Sequence, residues 1–86
     1  MSSFTMYSTA WCGYCKRLKA TLNRAGITFD EVDIESDPRA ERLVKSVNRG
    51  NATVPTLVFS DGSALTNPSP AQVHQRLAEL AEVSAR

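Results

Sequence analysis

Two cysteines separated by two residues constrain this chain more than any other feature of its sequence. Cys12 and Cys15 are its only cysteines, and a bridge between them closes a loop too short to constrain much of the unfolded chain. A secreted mini-protein held together by disulfides needs more bridges than one. We therefore expect the 86 residues to fold around one hydrophobic core, as a single domain spanning residues 1–86, and the pair to serve chemistry.

The composition is that of an ordinary globular protein, and it argues against several classes of partner. Hydrophobic residues make up 42% of the chain, charged residues 22%, and the formal net charge is +1. So small a net charge argues against nucleic acid or an anionic membrane as the main partner. The sequence shows neither an apolar run of about 20 residues, as a membrane span requires, nor a secretion signal. We expect a cytoplasmic monomer.

The spacing of apolar residues predicts two strands alternating with two helices in the first half of the chain. Residues 4–8 alternate large apolar with small polar side chains and predict a strand. After Cys15, apolar residues recur at helical spacing until Gly26, which ends the helix. Residues 28–34 predict a second strand, and Asp37 caps a second helix. The predicted buried residues are Leu18, Leu22 and Ala25 in the first helix, and Leu43, Val44 and Val47 in the second.

The second half of the chain predicts a hairpin followed by a third helix. Residues 56–60 and 63–66 are the predicted strands, joined by a tight turn at Asp61. Ser69 and Gln72 have the spacing of a helix capping box. The predicted apolar face of this last helix consists of Val73, Leu77, Leu80 and Ala81.

The element order is therefore βαβαββα, which indicates an α/β fold. Two strands joined by a helix lie parallel with a right-handed crossover, and the last two strands form an antiparallel hairpin. We expect a four-stranded mixed sheet with three helices on its two faces.

Cys12 is the predicted nucleophile. A thiol attacks as its thiolate, and a free cysteine with a pKa of about 8.5 is mostly protonated at neutral pH. Cys12 lies where the first strand gives way to the first helix, and the unpaired N–H groups of a helix's first turn favour negative charge. Cysteines in this setting have pKa values of about 3.5–7.5. Cys15, one turn further along the buried face, should be less exposed and able to form a disulfide with Cys12.

The same pair has two other interpretations: inert buried thiols, or half of a zinc site. A zinc site usually takes four ligands, and the chain offers one histidine, His74, and no second cysteine pair. A Cys-x-x-Cys after a strand in a βαβ unit favours redox chemistry. We expect no metal, and His74 at the surface of the last helix without a catalytic role.

Three segments occur in a specific order: Trp11–Leu18, Thr53–Thr56 and Leu65–Ser69. Together they resemble the glutaredoxin branch of the thioredoxin superfamily, and more narrowly the mycoredoxins of actinobacteria. The resemblance covers essentially the whole chain. It implies a thioredoxin fold and a cis peptide bond before Pro55. It also implies that the backbone of Val54 pairs with an extended thiol substrate, as a strand edge does.

Two departures from glutathione-using glutaredoxins concern the small thiol. Those proteins commonly carry a lysine three residues before the first cysteine, and a Gly-Gly pair followed by acidic residues before the last helix. These groups hold the charged ends of glutathione. Here the positions are Thr9 and the segment Thr66–Ser69. Mycothiol has no carboxylates, so neutral hydroxyl and amide groups suit it. The substrate site that we expect is formed by Trp11, Tyr14, Thr53, Val54, Pro55, Thr66 and Asn67.

Trp11 and Tyr14 flank the nucleophile in the sequence. A lone tryptophan commonly packs on the core, but Trp11 can equally form an apolar rim on which a protein or a sugar ring lies. Tyr14, between the two cysteines, is expected on the exposed side of the turn and so at the rim.

The resemblance implies a thiol–disulfide oxidoreductase that reduces mycothiol–protein mixed disulfides by a monothiol mechanism through Cys12. Its partners are then mycothiol as co-substrate, S-mycothiolated proteins and, indirectly, mycothione reductase and NADPH, with no tightly bound cofactor. Two alternatives stay open. One is a dithiol redoxin reduced by thioredoxin reductase, and the other is a glutaredoxin that binds a [2Fe–2S] cluster between two subunits.

Overall fold

The computed structural model of the protein describes residues 3–84. Its elements follow the order that the sequence predicts. They are β1 (Phe4–Ser8), α1 (Gly13–Arg24), β2 (Asp30–Asp33), α2 (Pro38–Val47), β3 (Thr56–Phe59), β4 (Ala64–Thr66) and α3 (Pro70–Ser84). β1 has the predicted bounds, whereas β2 is shorter than predicted because only residues 30–33 pair with β1. No helix within residues 3–84 is long and apolar enough to cross a membrane.

The four strands form one mixed sheet in the order β2-β1-β3-β4. β1 and β2 are parallel, and β3 and β4 are antiparallel, as predicted. β1 also pairs antiparallel with β3, with Met6 opposite Leu57, a pairing that the sequence analysis did not specify. The inner strands are therefore β1 and β3, and the segment with both cysteines follows an inner strand directly. This is the four-stranded mixed sheet of a thioredoxin-like fold.

One face of the sheet carries the larger core and is covered by α1 and α3. Its buried residues are Phe4, Met6, Leu18, Leu22, Leu57, Phe59 and Val73. Leu77 and Leu80 pack against them, as predicted for the last helix. Ala25 and Ala81, at the predicted edges of the two helix faces, are exposed instead. Burying a large aliphatic side chain contributes about 1.5–3 kcal/mol, so this face supplies most of the apolar stabilisation.

The opposite face of the sheet is smaller and is covered by α2. Ile34, Ala40 and Val44 are buried there, and Tyr7, Val32 and Val54 pack against them. The prediction of Leu43 and Val47 as buried residues is wrong, since they are 38% and 42% exposed. A face this small accepts only the narrow stripe of Ala40 and Val44. Leu43, one residue before Val44, is rotated from it by about 100° around the helix axis and points away from the sheet.

The predicted helix caps are confirmed. Asp37 Oδ1 accepts hydrogen bonds from the backbone amides of Arg39 (3.0 Å) and Ala40 (3.3 Å) at the start of α2. At the start of α3, the Ser69 hydroxyl accepts from the Gln72 amide at 3.2 Å, and Gln72 Oε1 accepts from the Ser69 amide at 2.8 Å. Each cap satisfies amides that the helix itself leaves unpaired, which fixes where the two helices begin.

The hairpin between β3 and β4 turns at Asp61 and Gly62, as predicted. Gly62 has a φ of 87°, a left-handed conformation that glycine adopts without steric cost. Asp61 Oδ1 accepts hydrogen bonds from the hydroxyl (2.6 Å) and the backbone amide (3.0 Å) of Ser63. These bonds stabilise the carboxylate and hold the pKa of Asp61 below its ordinary value.

Asn48 joins α2 to both strands of the hairpin. Its Nδ2 donates to the Val44 carbonyl at 2.9 Å and to the Thr56 hydroxyl at 3.1 Å. Its Oδ1 accepts from the Thr66 hydroxyl at 2.6 Å. The Thr56 hydroxyl donates in turn to the Thr53 carbonyl at 2.8 Å. One side-chain amide thus connects the end of α2 to Thr56 at the start of β3, and through it to the loop that carries Thr53, and to Thr66 at the end of β4.

We predict that Asn48→Ala lowers the free energy of unfolding by about 1–3 kcal/mol, because it removes three hydrogen bonds from a half-buried network. Urea denaturation with an unchanged m-value measures this loss. Asn23→Ala, the same change on the exposed surface of α1, is the matched control and should cost much less. Equal losses for the two variants would show that the network does not stabilise the fold.

Candidate active site

Cys12 is the N-cap residue of α1, so it lies at the start of the first helix, as the sequence predicts. Its backbone is extended, with φ −79° and ψ 104°, and its sulfur accepts a hydrogen bond from the Cys15 amide at 3.1 Å. The Cys12 amide donates to the Thr9 carbonyl at 3.3 Å, which closes the turn between β1 and α1. The sulfur therefore lies at the end of the helix where unpaired amides favour negative charge.

The two cysteines form a disulfide, with their Cα atoms 5.3 Å apart. Cys12 is 8% exposed and Cys15 is 1% exposed. This confirms the prediction that Cys15 lies deeper, on the buried face of α1 with Leu18 and Leu22. The arrangement suits reversible thiol–disulfide exchange, because only the outer sulfur has access to a partner.

Pro55 follows a cis peptide bond, which confirms the expectation drawn from the family resemblance. Pro55 is buried, while Thr53 and Val54 beside it are half-buried. The Pro55 carbonyl accepts a hydrogen bond from the Asn67 amide at 2.8 Å. Asn67 itself has a left-handed φ of 51°, which turns the chain between β4 and α3 toward this loop. The structure thus brings together two of the predicted substrate segments, around Pro55 and around Asn67.

Tyr14 ties this pair of loops to the cysteines. Its hydroxyl donates to the Pro68 carbonyl at 2.6 Å, across 54 residues of sequence. The ring packs against the larger core and has the Arg17 guanidinium 5.6 Å from its centroid. The expectation that Tyr14 lies on the exposed side of the turn is therefore wrong: it is half-buried because its hydroxyl has a partner that only the tertiary fold supplies.

Trp11 directly precedes Cys12 in the chain and is 70% exposed. Its Nε1 donates to Glu35 Oε2 at 3.0 Å, just beyond the end of β2. Of the two interpretations that the sequence left open, core packing is excluded and the rim remains. Thr66 is also exposed, but its hydroxyl proton is already donated to Asn48, so only its oxygen lone pairs are available to a ligand.

Thr9 has an unexpected environment. It is 6% exposed, and its hydroxyl oxygen is buried without a hydrogen-bond partner among residues 3–84. It borders a cavity of about 280 Å³ between α1 and β2, with Ser8, Ala10, Cys15, Lys16, Lys19, Glu31 and Asp33 as the other lining residues. None of the predicted substrate residues lines this cavity. Its side chains carry two positive and two negative charges, and no motif in the sequence marks it.

Two further residues concern the sequence predictions. His74 is exposed on α3, as predicted. Asn48 was missed as a contributor, since the sequence indicates only that a helix ends there. The sequence could have indicated its bond to α2, because an asparagine just beyond a helix end often donates to one of the last helix carbonyls. Its bonds to β3 and β4 could not be predicted, because Thr56 and Thr66 lie far from it in the sequence.

Comparison with known proteins places the chain among glutaredoxins and a mycoredoxin. The sequence profile of the Glutaredoxin family matches residues 4–63. Mycoredoxin 1 of Corynebacterium glutamicum is 44% identical over 81 residues, covering 94% of this chain and 100% of that protein. A Mycobacterium tuberculosis protein with glutaredoxin as its provisional name is 52% identical over 80 residues, covering 93% of this chain and 95% of its own.

The solved structures agree with the fold. The crystal structure of the glutaredoxin from Methanosarcina mazei Go1 superposes with a TM-score of 0.71 at 26% identity. The match covers 88% of this chain and 78% of that one. With its thioredoxin-like fold and its Cys12–Cys15 pair at the start of α1, the chain belongs to the glutaredoxin family of thiol–disulfide oxidoreductases.

Proposed function

We propose that the protein reduces mixed disulfides between mycothiol and proteins, with Cys12 as the nucleophile. The observation that carries the choice of mycothiol is the similarity to Mycoredoxin 1 along 94% of this chain. The site supports it, because Thr9 and the Thr66–Ser69 segment carry no charge where glutathione is commonly clamped. Thr9 is also buried, so its hydroxyl is poorly placed to bind a carboxylate in place of the lysine.

The reaction follows from the position of the two sulfurs. The Cys12 thiolate attacks the mycothiol sulfur of the mixed disulfide, and the protein thiol leaves as a thiolate that takes up a proton from water. Cys12 now carries mycothiol in a disulfide. A second mycothiol thiolate attacks the bound mycothiol sulfur, which releases mycothiol disulfide and restores the Cys12 thiolate. Mycothione reductase then reduces the mycothiol disulfide at the expense of NADPH.

The N-cap geometry supports Cys12 as both attacking and leaving group. The Cys15 amide lies 3.1 Å from the Cys12 sulfur and can donate to a thiolate there. A hydrogen bond to a charged acceptor is roughly twice as strong as a neutral one, so the bond favours the ionised form. The sulfur is thereby stabilised in the state that begins and ends each cycle.

Cys15 offers a competing step and is dispensable for the cycle. Its Cα lies 5.3 Å from that of Cys12, within the range that a disulfide spans. Attack of Cys15 on the Cys12–mycothiol disulfide releases mycothiol and closes the internal bridge. That bridge must then be reduced by further thiol, so Cys15 diverts turnover rather than completing it.

The small thiol fits between the two loops joined by the Asn67–Pro55 hydrogen bond. We expect the backbone of Val54 to pair with the acetylated cysteine amide of mycothiol, as an added strand pairs with a sheet edge. The sugar and inositol hydroxyls then lie toward Thr53, Thr66 and Asn67, and Trp11 supplies an apolar rim. Tyr14 acts as a positioning residue, since its hydroxyl is held by Pro68.

The test of this proposal is NADPH-coupled reduction of a mycothiol mixed disulfide in the presence of mycothiol and its reductase. A matched assay uses the glutathione mixed disulfide with glutathione and its reductase. We expect turnover with mycothiol and at most weak turnover with glutathione. Equal rates would contradict the choice of thiol. No turnover in either assay would favour direct reduction by thioredoxin reductase or cluster binding, the latter visible as a brown colour after anaerobic purification.

We predict that Cys12→Ser abolishes this turnover, whereas Cys15→Ser retains it at or above the wild-type rate. The reason is that every bond exchange of the monothiol cycle uses the Cys12 sulfur, and none needs Cys15. The coupled assay measures both variants, and mass spectrometry of Cys15→Ser should detect the Cys12–mycothiol disulfide. An inactive Cys15→Ser variant that still folds would rule out the monothiol mechanism.

We predict that Tyr14→Phe raises KM for the mycothiol mixed disulfide several-fold with little change in kcat, and lowers stability by about 1 kcal/mol. The change removes the bond to the Pro68 carbonyl and so loosens the Asn67 loop, but leaves both sulfurs in place. Steady-state kinetics and urea denaturation measure the two effects. Tyr7→Phe is the matched control, because Tyr7 packs on the opposite face of the sheet. A change in kcat alone would contradict the positioning role.

A further inference from the structure

The outward face of α2 exposes apolar side chains that the core does not use. Leu43 is 38% exposed and Val47 is 42% exposed, four residues apart on the same side of the helix. With Trp11, they are the exposed large hydrophobic residues among residues 3–81, the range in which side-chain exposure is described. Scattered apolar residues are ordinary at a protein surface, but near these two in the sequence lie arginines without ion pairs among residues 3–84.

Three arginines lie within four residues of Leu43 or Val47 in the sequence: Arg39, Arg42 and Arg49. All three are exposed, and within the described part of the chain none takes part in an ion pair or a side-chain hydrogen bond. Lys45 of the same helix differs, since it lies 3.7 Å from Glu41. We call Arg39, Arg42, Leu43, Val47 and Arg49 together the α2 surface. Its three unpaired positive charges contrast with a net charge of +1 for the whole chain.

The α2 surface begins close to the nucleophile. Trp11 directly precedes Cys12 and is bound through its Nε1 to Glu35, which lies two residues before the α2 cap Asp37. From there Arg39, Leu43 and Val47 follow at intervals of four residues along one side of the helix. A partner whose disulfide is at Cys12 can therefore reach across Trp11 onto α2 without passing over the loops that hold the small thiol.

We propose that the α2 surface binds an acidic segment of the protein whose mixed disulfide Cys12 reduces. Arginines pair with carboxylates in a two-pronged geometry, and arginine and tryptophan are enriched where interfaces gain most affinity. Leu43 and Val47 add an apolar contact between the charges, which favours a protein segment over a nucleic acid backbone. This inference rests on the proposed function only for the chemistry at Cys12, since binding of the segment is measured without any reaction.

The binding test uses a short fluorescein-labelled peptide of alternating glutamate and leucine residues. It carries a serine at the position where the substrate peptide of the kinetic test carries its cysteine, so that no disulfide can form. Fluorescence anisotropy with the wild-type protein should show binding that weakens as salt is added. Arg42→Glu and Leu43→Ser should each weaken binding about tenfold. Arg24→Glu makes the same charge change at an exposed position on α1 and should change it less than about twofold, within the range of an uninvolved surface charge.

The kinetic test compares a mycothiolated peptide of the same acidic sequence with a small mixed disulfide of mycothiol and 2-mercaptoethanol. Arg42→Glu should lower kcat/KM about tenfold for the acidic peptide and leave the small substrate unchanged, because only the peptide reaches α2. Equal losses on both substrates, or no loss on the peptide, would overturn the docking surface. Binding of an RNA of equal charge in preference to the peptide would overturn it as well.

The two experiments separate this inference from the proposed function. If the wild-type protein binds the acidic peptide through Arg42 but does not reduce any mycothiol disulfide, the surface stands and the reaction is wrong. If it reduces the small mixed disulfide but the variants bind and react like the wild type, the reaction stands and the surface is wrong. Thermal unfolding of each variant checks that the fold is intact, as expected for changes at exposed positions.

Discussion

The hydrogen bond from the Asn67 amide to the Pro55 carbonyl holds together the half of the active site that does not contain cysteine. The bond is ordinary in strength, about 1 kcal/mol net, but it extends the pairing of β3 and β4 beyond Thr56 and Thr66 into the loop before β3 and the loop after β4. Tyr14 then attaches the joined loops to the start of α1 through the Pro68 carbonyl. Two backbone carbonyls thus help to hold the cis proline and the loop after β4 beside the cysteines. The Pro55 carbonyl accepts from the Asn67 amide, and the Pro68 carbonyl accepts from the Tyr14 hydroxyl.

The local part of this geometry could be predicted from the sequence, and the distant part could not. Strand alternation, helix spacing and capping residues act within a few positions. This is why the element order, the caps at Asp37 and Ser69 and the place of Cys12 at the start of the first helix were predicted correctly. The cis bond before Pro55 was expected from family resemblance, since local patterns carry no signal for it. Tyr14 was misplaced because its partner lies 54 residues away. Asn48 was overlooked for the same reason, because its distant partners Thr56 and Thr66 lie on two other strands.

The error at α2 has a different origin. Two apolar stripes overlap on this helix, Ala40 with Val44 and Leu43 with Val47, and periodicity alone favours the larger side chains. In the structure the smaller side chains, Ala40 and Val44, are the buried ones. The reason is that the sheet face beneath α2, around Ile34 and Val32, is narrow. Leu43 and Val47 remain exposed on the outer side of α2, beside arginines that form no ion pair within the described part of the chain. An incorrect core assignment of this kind is informative, because it separates apolar residues that stabilise the fold from those that are free to serve a partner.

The acidic residues of β2 bear on how the protein behaves in a crowded solution. β2 is an edge strand, with one side of its backbone facing solvent, and such an edge is a template on which another chain can extend the sheet. Asp30, Glu31 and Asp33 occupy three of its four positions. A second copy docking there would bring like charges face to face in a low-dielectric contact. The opposite edge, β4, is only three residues long. Charge at one edge of the sheet and shortness at the other thus both disfavour the addition of a strand from a second copy.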